Sequence, residues 1–165
     1  MGLIEGERTV EIDAPVERCF EIAADIQNAP EWQGSLQEVD VLERDADGRA
    51  ELVETKSDAK VKSVRALLRF SYSEPNEVRW VQEKGDTKSL EGWWKLEDLG
   101  GGRTRVAYTL QADPGALLAR FLKGALEAKM RAVLIDGRPA ELKARAEGMT
   151  SRRTPGKPPV ARGEP

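Results

Sequence analysis

The chain contains no histidine, and that absence removes more chemistry than any other feature of its composition. Without imidazole there is no Ser-His-Asp or Cys-His nucleophile system and none of the usual zinc or haem ligation. The single cysteine, Cys19, has no partner for an intramolecular disulfide and cannot hold an iron–sulfur cluster, in keeping with the reducing cytoplasm expected as its location. No phosphate-binding loop is present. The glycine run Gly100-Gly101-Gly102 leads into Arg103-Thr104-Arg105-Val106, a strand pattern, where an anion site would need a helix N-terminus. Long apolar runs are missing too: nothing approaches the roughly 18 residues that span a bilayer. Glu5, Glu7 and Arg8 bring charge too early for a signal peptide. A net charge of −3, from 26 basic and 29 acidic residues, gives no electrostatic footprint for nucleic acid. Neither a metal nor a cofactor is expected.

What is there suits one soluble domain. At 165 residues the chain can bury a core without staples. Val10 and Ile12 alternate with Thr9 and Glu11, which predicts a half-buried strand over 7–13. Ala14-Pro15 then opens a helix, with Val16, Cys19, Phe20, Ala23 and Ile26 at helical spacing. Asn28 and Pro30 break it into a short second helix or turn that ends at Trp32. Strand patterns follow over 36–42, 49–55, 61–72, 78–83, 89–96 and 104–112, separated by turn residues such as Asp47-Gly48 and Gly100-Gly101-Gly102. Asp113-Pro114-Gly115 starts a long helix over 115–136 whose apolar stripe includes Leu118, Phe121, Leu122, Ala125, Ala132 and Ile135. Asp136-Gly137-Arg138-Pro139 should kink or break it before it continues over 140–147. The domain is therefore placed at 1–148, and 149–165, rich in Arg, Pro and Gly, reads as a disordered tail.

Several phrases fix a resemblance. Val10-Glu11-Ile12-Asp13-Ala14-Pro15-Val16-Glu17, then Asp25-Ile26 and Pro30-Glu31-Trp32, look like the opening of the START/polyketide cyclase superfamily. Glu91-Gly92-Trp93-Trp94-Lys95-Leu96 and Gly102-Arg103-Thr104-Arg105-Val106-Ala107-Tyr108 resemble its last two strands. The nearest branch is that of bacterial polyketide cyclase/dehydrase and coenzyme Q-binding-like proteins. The resemblance implies an α+β helix-grip fold: a seven-stranded curved antiparallel sheet around a long C-terminal helix, with two short helices between strands 1 and 2. It also implies a cavity for a lipid, isoprenoid, polyketide or other aromatic molecule. The family shares no invariant catalytic set, so no catalytic residue is carried over.

The residues allow two readings each. A strongly bowed sheet leaves volume that one helix does not fill. Trp80 and Trp94 share strand faces with Val78 and Leu90, so both are placed inward, either as core filling or as flat walls for a ring-shaped guest. Gly92, between Leu90 and Trp94, provides sheet curvature or room for a ligand. Tyr108 and Tyr72 offer buried hydroxyls that pair with the protein or with a ligand. Gln82 follows Trp80 in parity and presents an amide at the mouth or to solvent. Glu54 shares parity with Ala50 and Leu52; turned inward it would be a carboxylate beside the cavity, paired with Arg65 or free to act as a base. The alternative leaves Glu54, Arg65 and Arg69 solvated. Phe121, Leu122 and Ala125 are expected to close the cavity from the helix side, and Cys19 to be a small buried hydrophobe.

Three functions remain in play. One is a carrier or sequestering module for a small hydrophobic molecule. The second is a cyclase/aromatase-type enzyme that folds its substrate and assists proton transfer. The third is a protein-interaction factor on the same fold. An apolar lining favours the first, several converging polar groups with a shifted carboxylate the second, and a collapsed cavity with an exposed apolar patch the third.

Overall fold

In the computed structural model, which describes residues 4–60, 62–120 and 122–152, seven strands form one antiparallel sheet in the order β1-β7-β6-β5-β4-β3-β2. They are β1 Ile4–Ile12, β2 Leu36–Arg44, β3 Ala50–Asp58, β4 Ser63–Ser73, β5 Glu77–Gly85, β6 Ser89–Gly100 and β7 Arg103–Asp113. Six consecutive strands are joined by short connections, and β1 closes the sheet by pairing with β7 from Ile4↔Ala112 to Ile12↔Thr104. Each strand segment read from the alternation corresponds to one of these. β1 begins earlier than expected because Ile4, Glu5 and Gly6 continue the ladder opposite Ala112, Gln111 and Leu110.

Helix α1, Val16–Ala24, follows Pro15, which caps it with an extended backbone and accepts the Arg18 and Cys19 N–H groups on its carbonyl. It buries Val16, Cys19, Phe20, Ala23 and Ala24, and each large side chain so covered contributes about 1.5–3 kcal/mol. The buried Thr104 hydroxyl donates to the Ala14 carbonyl at 2.8 Å and ties the entry to α1 onto β7. Asn28 and Pro30 give a 3₁₀ turn, Ile26–Glu31, before β2.

The C-terminal part departs from one long helix. Helix α2, Gly115–Ala119, stops early; Lys123 is extended, and α3, Gly124–Arg131, begins with Gly124 at φ 51°, a left-handed conformation that glycine tolerates. A π-turn, Ala132–Asp136, follows, closed by the Gly137 N–H to the Ala132 carbonyl at 3.0 Å. Helix α4, Arg138–Arg152, then crosses the sheet. Pro139 occupies its first turn, where the missing N–H is unneeded, so it starts a helix where the sequence predicted an interruption. Leu142 and Ala146 of α4 are fully buried. The first residues of the predicted tail belong to α4, and the rest of it, from 153, lies outside the described residues.

The core sits between the concave face of the sheet, α1 and α4. The outer face is polar: Arg69 pairs with Glu43, Glu51 and Glu83, and Arg105 pairs with Glu11 and Glu97. This is the helix-grip architecture expected from the resemblance, with its gripping helix in segments.

Candidate functional site

A cavity of about 130 Å³ lies between the concave sheet face and the helical segments. An engineered void of roughly 150 Å³ is enough for a benzene ring, so the space suits a ring or a short chain. Its walls come from inward positions of most strands: Thr55 and Ser57 of β3, Ala66, Leu68 and Phe70 of β4, Trp80 of β5, Leu90 and Trp94 of β6, and Tyr108 and Leu110 of β7. The helical side contributes Met130, Leu134 and Arg138. These three are four residues apart, a spacing that drifts about 40° per step on a regular α-helix. The wider π-turn between them offsets that drift and keeps all three on the cavity.

The aromatic rings form a continuous row. Phe70 lies 5.7 Å from Trp80, Trp80 5.9 Å from Tyr108, and Tyr108 4.5 Å from Trp94, centroid to centroid. Half-buried Trp32 extends the row beyond Trp94 at 6.2 Å. These distances are those of favourable tilted pairs, so the row braces one wall rigidly.

Polar groups gather at one place. Arg138, only 5% exposed, donates from one terminal nitrogen to Glu141 at 2.9 Å and from the other to the Ser35 hydroxyl at 2.8 Å. Glu141 in turn accepts the Gly34 N–H at 2.9 Å, which clamps the start of α4 onto the turn before β2. The Arg138 Nε is buried and has no hydrogen-bond partner. The Tyr108 hydroxyl lies beside this guanidinium; burial pushes its pKa up, and Arg138 pulls in the opposite direction. Arg138 went unnoticed in the sequence because it sits in Asp136-Gly137-Arg138-Pro139, which reads as a solvent-exposed breaker. The available signal was its place on the Met130–Leu134–Arg138 stripe, three residues before Glu141.

Of the residues singled out from sequence, Trp80, Trp94 and Tyr108 line the cavity. Gly92 does not. It gives up its side-chain space to Trp80, whose ring lies 2.5 Å from where a Cβ would stand. The Tyr72 hydroxyl donates to the Ala50 carbonyl, away from the lining, and burial raises its pKa. Gln82 stands one layer back, its amide donating to the Thr87 carbonyl at 2.9 Å while the Thr87 side chain meets the cavity. Glu54 is corrected outright: it is exposed on the outer face opposite Leu67, and Thr55 takes the inward place. The cause is an irregularity in the β2–β3 pairing, Glu43↔Leu52 followed by Arg44↔Ala50, which inserts Glu51 and reverses the parity read from Ala50. Arg65 is exposed as well. Ala125 is also corrected: it is exposed on α3, and Leu122 is half-buried outside the lining, because the break before Gly124 resets the helical phase. Phe121 lies outside the described residues. Cys19 is fully buried, its thiol pushed up by burial.

Matching against protein families decides the affiliation: residues 4–147 fit the family described as polyketide cyclase / dehydrase and lipid transport. The chain belongs to that family. No curated protein matches it by sequence. Among solved structures, a START superfamily protein from Mycobacterium smegmatis superposes with a TM-score of 0.76 at 20% identity, covering 90% of this chain and 99% of that one. A protein of Thermus thermophilus gives 0.75 at 22% identity, covering 88% and 99%. The Zhui aromatase/cyclase from a Streptomyces species gives 0.71 at 18% identity, covering 93% and 97%. At these identities the likeness speaks to the fold. Among the described residues no helix is long and apolar enough to cross a membrane.

Proposed function

We propose that this START-family chain is a binding module that encloses a small, mostly apolar, ring-shaped molecule and carries or sequesters it. The supporting observation is the lining. Most of its side chains are aliphatic or aromatic, and among the described residues it includes no carboxylate and no cysteine. Removing a guest of that kind from water is favourable by about 25 cal/mol per Å² of apolar surface covered. The row Phe70–Trp80–Tyr108–Trp94 gives a rigid wall of mutually tilted rings that loses little freedom on binding.

A cyclase-type reaction is the second reading, and the Tyr108–Arg138 pair is what favours it. Two donors beside a guest oxygen could steady an enolate. Among the described residues the lining offers no carboxylate to accept a proton: Glu141 is held by Arg138 and by the Gly34 N–H, and Glu54 faces away. The carrier reading therefore stands first. Native mass spectrometry of the freshly purified chain tests it, together with tryptophan fluorescence across isoprenoid, fatty and aromatic compounds. A retained small-molecule adduct or saturable fluorescence changes are expected; neither appearing would overturn the reading.

A further inference from the structure

We infer that the Arg138–Glu141 pair makes this cavity selective for a guest with a neutral oxygen acceptor, such as a ketone carbonyl, over one with a carboxylate. The inference rests on the binding reading above and adds the chemical class at one wall. A guanidinium has five N–H donors. Glu141 and Ser35 each take one from a terminal nitrogen, the Nε–H is buried with no acceptor, and Arg138 is part of the cavity lining, so its donors are not all met within the protein. The Tyr108 hydroxyl, beside the guanidinium and in the same lining, supplies one further donor. A guest oxygen with two lone pairs fits such a pair of donors.

The charge decides which oxygen. An unpaired buried arginine would welcome an anion. Here the charge is already matched by Glu141, 2.9 Å away, and the lining holds no second cation among the described residues. A carboxylate entering this apolar space would lose its hydration beside an arginine whose charge Glu141 already matches, with no net positive charge in return. A carbonyl accepts the same N–H groups and adds no charge. A hydrocarbon of the same shape leaves them unmet.

The test is a set of three matched single-ring probes: propylbenzene, propiophenone and phenylacetate. Dissociation constants are measured on the full chain at neutral pH by methyl chemical-shift titration. Propiophenone should bind about tenfold or more tighter than phenylacetate, the effect of one well-made hydrogen bond against one unmatched buried charge. Glu141→Gln keeps the shape but frees the arginine's charge, and should narrow or reverse that ratio. Arg138→Met should remove the advantage of propiophenone over propylbenzene; circular dichroism melts check that each variant is folded. If Arg138→Met fails to fold, the wild-type ratio and Glu141→Gln still decide. Phenylacetate binding the wild type as tightly as propiophenone, or a ratio unmoved by Glu141→Gln, overturns the inference while leaving the cavity as a binding site. Failure of all three probes to bind overturns the cavity reading and this inference with it.

Discussion

Gly92 shows how a single atom can shape the cavity. The Trp80 ring occupies the space a Cβ would need, and Trp80 in turn meets Phe70 and Tyr108. Gly92→Ala should therefore displace the indole from the wall and destabilise the fold by about 1–3 kcal/mol, the usual cost of overpacking. Urea denaturation measures the loss, and the near-ultraviolet circular dichroism of the tryptophans reports the displaced ring. At this scale the sequence was legible wherever alternation ran unbroken. Trp80, Trp94 and Tyr108 lie on β5, β6 and β7, which pair in continuous register around them, and parity put all three inward. It misled at Glu54 because a bulge leaves no mark in composition: Glu51 looks like any other strand residue. Arg138 was hidden for the opposite reason, since a charge between Gly137 and Pro139 looks solvated until α4 is seen to begin there and press it against Ser35.

Among the elements, α4 determines whether the cavity has a roof. Its docking rests on Leu142 and Ala146, both fully buried, and on two polar clasps. One is Glu141 on Gly34 and Arg138; the other is Glu147, which accepts the Asp13 N–H at 2.7 Å and pairs with Lys143. Leu142→Ala should lower stability by about 2–5 kcal/mol through the void it leaves, read from the midpoint of chemical unfolding. Glu147 gives a pH signature. The Asp13 N–H and the Lys143 ammonium hold its carboxyl below its ordinary value of 4.5. A depressed folded value means the unfolded chain takes up the proton first. This clasp therefore contributes fully above the ordinary carboxylate range and is lost as pH falls through the lower folded value. Melting temperatures of wild type and Glu147→Gln should differ at pH 7 and converge in acid below that range. The segmented helix was the least legible element. Nothing in Arg120 to Lys123 breaks a helix by propensity, yet the chain leaves the helix through the extended backbone of Lys123 and the left-handed backbone of Gly124.

For the whole molecule, the fold was readable because its logic is repetitive: one strand, a helix, a turn, then strands joined by short turns, then helix again, an order that admits few antiparallel arrangements. The cavity was readable as an expectation of geometry, since a bowed sheet and narrow helical segments do not fill their interior. Its size and the buried Arg138 in its lining depend on bulges, a π-turn and an early helix break, none of which periodicity reveals. The central claim is that this interior admits a guest. It is tested most directly by intermolecular nuclear Overhauser effects between propiophenone and the methyl-labelled full chain. Contacts are expected from the phenyl ring to Leu68, Leu110 and Met130, which line the cavity from three elements. Contacts confined to exposed methyls such as those of Leu42 and Val81, or none at saturating probe, would contradict it.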